Sequence, residues 1–181
     1  MTNIKPSDNQ LRADNQQGRL DPWYVVGFTD GEGCFSVSIF KNSTTRSGYQ
    51  VFPEFVVTQG SNNLSVLKDL QSFFGCGKIY VNRRKDNHRR NLYRYCVRSI
   101  KDIRNIVIPF FNQSPLKTSK KFDFQTFCLA VEMISDGSHL KPDGLQRIRQ
   151  LASTMNRQKP RDPEPSETTR QTRLDGTVGK I

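Results

Sequence analysis

The chain has 181 residues, 34% hydrophobic and 10% aromatic, which suffices for one domain with a packed core. Lys and Arg number 28 against 17 Asp and Glu, and the resulting charge of +11 suits a polyanion such as nucleic acid or an anionic membrane face. No apolar run approaches the roughly 18 residues of a membrane span, the N-terminus is polar rather than signal-like, and Cys34, Cys76, Cys96 and Cys128 are too scattered for a zinc site or a disulfide scaffold. A membrane-spanning or secreted, disulfide-stapled protein is therefore excluded as an expectation, and the thiols read as reduced and intracellular.

Residues 1–20 are rich in Asn, Gln and Asp, with little to bury, and read as a flexible extension. Asp21-Pro22 opens a helix, an acidic N-cap followed by proline at the first helical position, and the run Trp23 to Phe28 continues it. From Cys34 the order Phe35, Val37, Ile39 alternates with Ser36, Ser38, Phe40, the period of a half-buried strand. After the polar turn "KNSTTRSG", the stretch "YQVFPEFVVTQ" alternates again, so the two strands form a hairpin. Leu64, Leu67, Leu70 and Phe74 then recur at helical spacing, with a stop at Gly75 and Gly77. A second hairpin follows, "GKIYVN" and "LYRYCVR" around "RRKDNHRRN". Helices resume in "SIKDIRNIVIPFF", "SKKFDFQTFCLAVEMIS" and "LKPDGLQRIRQLASTM". His88 and His139 fall in loops. Three prolines from Pro160 to Pro165 mark residues 157–181 as a disordered basic tail, leaving 21–156 as the folded domain.

Two hairpins with one apolar face each predict an α+β fold, a four-stranded antiparallel sheet backed on one side by helices. The other face would carry Ser36, Ser38, Phe40, Asn42, Gln50, Phe52, Glu54, Thr58, Lys78, Tyr80, Asn82, Arg94, Cys96 and Arg98. A solvated sheet face is the default for such positions. Residues 83–98, however, hold seven basic side chains, Arg83, Arg84, Lys85, Arg89, Arg90, Arg94 and Arg98, against one Asp. Polar side chains can read base edges while Lys and Arg hold phosphates, so this face, Cys96 apart, and its basic loop are the expected surface for double-stranded DNA. Arg94 and Arg98 are the expected base readers.

The segment "WYVVGFTDGEGCFSVSIF" combines Gly27 and Gly31, four apart on one helix face, with Asp30 and Glu32 near the helix end. Such glycines let two helices approach closely, although a chance pair or a C-cap would look the same. Acids near a helix C-terminus oppose its dipole unless a cation neutralises them.

"VVGFTDGEGCF" resembles the motif of the LAGLIDADG homing endonucleases, and "FVVTQ", "FFGCGKIY", "IKDIRNIVIPFFNQSPLKTSKK" and "LAVEMISDGSHLKPDGLQRIRQLASTMN" resemble the same family in the same order, covering about residues 21–156. The resemblance implies an αββαββα saddle and metal-dependent hydrolysis of a phosphodiester on each DNA strand. It makes Glu32 the metal ligand with the Gly31 carbonyl, Gln59 an orienter of water, and Lys120 the basic residue near the scissile phosphate, with Lys117 and Lys121 as close competitors. Asp30 would support the helix end and interface. Two Glu32 carboxylates brought together beside a polyanion require divalent cations, and oxygen ligands with phosphate point to Mg²⁺; the resemblance also allows Mn²⁺ and implies that Ca²⁺ binds without supporting cleavage.

The motif occurs once, and single-motif members pair. The expectation is a homodimer joined through Gly27, Phe28, Asp30 and Gly31, acting on a long, nearly palindromic site. The resemblance also permits an RNA maturase acting on its host intron RNA, or a non-cleaving DNA-binding regulator. It implies an organellar setting, mitochondrion or chloroplast, since such proteins are typically encoded in organellar introns.

Overall fold

A computed structural model describes residues 19–45, 47–82, 91–156 and 171–173. The first helix, α1 (Pro22–Glu32), starts as the sequence dictates: the Asp21 carboxylate accepts from the Trp23 and Tyr24 amides at 2.7 and 3.3 Å. It runs directly into β1 (Gly33–Lys41), which pairs with β2 (Tyr49–Gly60) in an antiparallel hairpin. The amphipathic α2 (Leu64–Phe74) buries Leu67, Leu70 and Phe74 and stops at Gly75, whose φ of +63° a glycine adopts without a Cβ clash.

The second hairpin is β3 (Lys78–Asn82) with β4 (Leu92–Val97). β4 lies against β2, in the order β1-β2-β4-β3, so the two hairpins share one sheet as expected. Beyond it come α3 (Ile100–Asp102), a π-helical turn (Ile103–Val107) and α4 (Ile108–Gln113), a single helical stretch in the sequence reading. The wider turn ends two residues before Pro109, whose missing N–H cannot complete an ordinary helical hydrogen bond to Asn105 within that turn. α5 (Lys120–Ser135), a short 3₁₀ turn carrying His139 (Ser138–Leu140), and α6 (Pro142–Thr154) complete the helical layer.

One short strand joins the expected four at the edge of the sheet. β5 (Gln171–Arg173), from the region read as a disordered tail, pairs antiparallel with Tyr80–Asn82. β3 otherwise ends the sheet with an unpaired row of backbone donors and acceptors, which any extended segment of chain can complete. Its short polar sequence between Pro-rich and Gly-containing stretches carries no apolar alternation that would announce a strand.

The core lies between one sheet face and the helices. Phe35, fully buried two residues after Gly33, sits at its centre, with ring centroids 5.0 Å from Phe55, 5.1 Å from Phe124, 5.4 Å from Phe127 and 5.5 Å from Phe111. The exit of the α1–β1 segment is thereby fixed to β2, α4 and α5 at once. Among the described residues no helix is long and apolar enough to cross a membrane.

Candidate functional site: the end of α1 and the open face of the sheet

α1 buries Val25, Val26 and Thr29 and exposes the opposite side. Trp23 and Tyr24 are 55% and 45% exposed, Tyr24 stacks on Phe28, and Gly27 and Gly31 are exposed as well. A Cβ at either glycine would meet nothing within 4 Å. Neither glycine is needed for packing against the described residues. Gly33 is different: a Cβ there would come within 2.6 Å of Thr29 Cγ2 and 2.8 Å of the Thr29 carbonyl oxygen. That close approach lets the helix turn at once into the strand, and among three glycines in seven residues no sequence signal singled this one out.

The two acids of the segment have separate surroundings. Asp30 reaches across to the segment before α5, accepting from the Lys117 amide at 2.8 Å, the Thr118 amide at 3.3 Å and Thr118 Oγ1 at 2.8 Å. It ties the end of α1 to the start of α5. Glu32 is exposed at the last helical position, beside backbone carbonyls that no further turn of helix satisfies. Among the described residues no group of three or more His, Cys, Asp or Glu side chains could hold a metal ion. One chain therefore offers a cation the Glu32 carboxylate and the carbonyls at the helix end, Gly31 included. These are hard oxygen donors at the negative end of a helix dipole, and the set fits a largely hydrated Mg²⁺.

Three lysines compete for the basic position, and their side chains go different ways. Lys120 Nζ donates to the Gly33 carbonyl, one residue from Glu32. Lys117 Nζ lies over the Trp23 ring at 5.0 Å, and Lys121 Nζ over Phe122 at 5.0 Å. Gln59 lies on β2 two residues beyond Val57, the partner of Gly33, and so at the same end of the sheet where α1 becomes β1. Its Oε1 accepts from Asn63 Nδ2 at 2.9 Å, which orients the carboxamide. Asn156, which the sequence did not mark, fixes this region from behind. With a left-handed φ of 56°, its side chain donates to the Phe35 carbonyl at 2.8 Å and its amide to Asp123 at 2.9 Å.

The register assigns the open face of the sheet. Ser36 faces Glu54, Ser38 faces Phe52 and Phe40 faces Gln50 across β1–β2; Thr58 faces Arg94 and Val56 faces Cys96 across β2–β4; Tyr80 faces Arg94 and Lys78 faces Cys96 across β3–β4. The strand positions expected to meet DNA therefore share one face. Asn42 stands just past β1, bonded to Gln50 at 3.0 Å. Arg83, Arg84, Lys85, Arg89, Arg90 and His88 lie outside the described residues.

The centre of that face departs from the expected open polar surface. Val56, Tyr80 and Cys96 are buried and pack as a small apolar cluster, with Cys34 at its edge. Glu54, expected as a DNA contact, is only 8% exposed. Its carboxylate is held by Arg94 Nη2 at 2.8 Å and by Arg98 Nε at 2.6 Å. Arg98 follows β4 rather than lying within it, and its guanidinium covers the rings of Tyr80 at 4.7 Å and Phe52 at 5.3 Å. Burial works against its charge, but the Glu54 carboxylate more than offsets this and raises the guanidinium pKa. The Cys96 thiol beneath is pushed up to about 12, by burial first and the Glu54 charge second. Alternation assigned these residues to a face without revealing that two of them would close over a third.

A family model described as LAGLIDADG endonuclease matches residues 25–131. Among curated proteins, the chain is 35% identical over 123 residues to a 50.9 kDa protein in ND4 intron 1 of Podospora anserina, covering 67% of this chain and 26% of that protein. It is 31% identical over 143 residues to probable intron-encoded endonuclease 3 of Neurospora crassa, covering 78% and 26%. The chain thus spans about a quarter of the length of these curated relatives. Among solved structures, the homing endonuclease I-TnaI superposes with a TM-score of 0.69 at 40% identity, over 78% of this chain and 91% of that one. The I-SmaMI LAGLIDADG homing endonuclease bound to cleaved DNA superposes with a TM-score of 0.70 at 33% identity, over 77% and 45%.

Proposed function

Because the chain belongs to the LAGLIDADG endonuclease family, we propose that it is a site-specific endonuclease that hydrolyses one phosphodiester bond on each strand of a long, nearly palindromic DNA duplex. Solved relatives of the same fold are described as bound to DNA, which supports duplex DNA as the partner here. The observation that carries the reading is the position of Glu32. Its carboxylate is exposed at the end of α1, with Lys120 anchored on the next carbonyl and a face of polar and basic side chains beginning at Ser36.

In this reading Glu32 and the Gly31 carbonyl hold a divalent ion, with Mg²⁺ the best match to the donors. When bound, the ion supplies a Lewis acid at the phosphate and acidifies a water. Lys120 places a positive charge where negative charge builds on the phosphate oxygens. Gln59, with its oxygen engaged by Asn63, has its amide nitrogen left to orient a water. Asp30 holds the Lys117–Thr118 backbone and through it the start of the helix that carries Lys120.

The homodimer is part of the same proposal. α1 exposes Trp23, Tyr24, Gly27 and Gly31 together, and among the described residues nothing packs where a Cβ of either glycine would stand. A two-fold contact through this face would place two Glu32 sites side by side, one for each DNA strand. Sedimentation as a stable monomer at micromolar concentration contradicts the pairing. An origin inside an organellar intron accords with relatives described as intron-encoded. No observation of this structure favours the maturase or regulator readings. The test is Glu32→Gln, which should bind duplex DNA like the wild type and lose Mg²⁺-dependent cleavage; undiminished cutting overturns the assignment.

A further inference from the structure

We propose that Glu54 is a positioning residue that determines specificity: its carboxylate holds Arg94 and Arg98 against the sheet as a preformed basic reader and withholds them from indiscriminate phosphate contacts. The inference rests on the DNA-binding reading above and concerns what the centre of that surface is built to do.

Three observations carry it. The first is burial: Glu54 is 8% exposed on a face that the main core does not use, so this is no rim ion pair that solvent screens away. The second is the direction from which each arginine arrives. Continuing the register one step past Phe55 and Val97 sets Arg98 opposite Glu54, while Arg94, paired with Thr58, must reach along the strand over Cys96 to meet the same carboxylate. Two long side chains, one from across the strand and one from along it, are thus pinned to one point. The third is the floor: Arg98 lies on Tyr80 and Phe52, and Tyr80 packs in the buried cluster with Val56 and Cys96, so the Arg98 guanidinium cannot withdraw into the sheet.

The physical consequence concerns selectivity more than affinity. A loose arginine finds a phosphate on any duplex, and this sequence-independent term dominates non-specific binding. An arginine held in place meets a base edge at fixed geometry or does not meet it at all, and loses less rotamer freedom on binding. The triad of one carboxylate and two guanidiniums is net +1, so the face still attracts DNA while the carboxylate competes with phosphate for both cations.

The experiment uses the full chain and a duplex recovered by wild-type selection from a randomised library, with a scrambled duplex of equal length as the non-specific probe. Binding of each is followed by fluorescence anisotropy in Ca²⁺ over a range of salt. Glu54→Gln should bind the scrambled duplex more tightly, with a salt dependence steeper by about one phosphate contact, and its preference for the selected duplex should fall by about tenfold, the worth of one good base contact. Glu54→Asp keeps the charge but is too short to span both guanidiniums. It should lose preference without changing the salt slope, and it keeps the test decisive if Glu54→Gln folds poorly. In an Arg94→Ala/Arg98→Ala background, adding Glu54→Gln should leave preference unchanged, an outcome that a merely structural role does not produce. A wild-type chain that prefers its selected duplex, with both Glu54 variants retaining that preference, overturns this proposal alone. A wild-type chain that prefers no duplex overturns it together with the proposed function.

Discussion

Replacing Gly27 and Gly31 together by Ala separates what α1 does for its own chain from what it does for a partner. Glycine within a helix is about 1 kcal/mol less favourable than alanine, and the new Cβ atoms meet nothing within 4 Å. Gly31 lies in the last turn, where the propensity counts for less, so the isolated fold should gain about 1–1.5 kcal/mol. For a domain of this size that raises the midpoint by about 3–5 °C. Across a two-fold contact the same change inserts four methyl groups between backbones that glycine allows to approach, and overpacking of that kind costs about 1–3 kcal/mol or more. Urea denaturation at a concentration where the wild type is dissociated reads the first effect, and sedimentation with a DNA cleavage assay reads the second. The variant should be the more stable chain and the poorer dimer and nuclease. Loss of stability in the dissociated chain would refute the claim that these glycines do nothing inside it. Unchanged association would refute the claim that they face a partner.

Asp30→Ala removes an acceptor of three hydrogen bonds from Lys117 and Thr118. It should cost about 1–3 kcal/mol in denaturation and lower cleavage more than DNA binding, since Lys120 loses its fixed helix start. Gly33→Ala drives a Cβ into Thr29 side-chain and backbone atoms; a loss of about 1–3 kcal/mol is expected, with calorimetry as the check and unchanged stability as the refutation. Lys120→Met should leave duplex affinity nearly intact and slow cleavage, whereas Lys117→Met and Lys121→Met, whose charges lie over Trp23 and Phe122, should slow it less. The Cys96 thiol, raised from 9.0 to about 12, favours the fold while neutral. That contribution is complete below pH 9 and is lost as pH rises toward about 12. Wild-type stability should fall faster between pH 9 and 11 than that of Cys96→Ala, and parallel curves would contradict the shift.

The α+β class, the two hairpins, the capped start of α1 and the division of each strand into two faces were all legible in the sequence. Each depends on interactions a few residues apart or on the strict alternation of side chains along a strand. Glu32 was legible for a related reason: an acid at the end of a helix, against its dipole, needs an explanation wherever the chain goes next. The relations between distant segments belonged to the tertiary structure. Lys120 finds the Gly33 carbonyl across 87 residues, while its close competitors Lys117 and Lys121 lie over the Trp23 and Phe122 rings instead. Glu54 meets Arg94 across 40 residues because β4 pairs with β2 in one register, and a slip of a single residue would turn each of these side chains to the other face. Spacing lists the groups that share a surface. Only the packed sheet decides which of them close on one another and which remain for a partner.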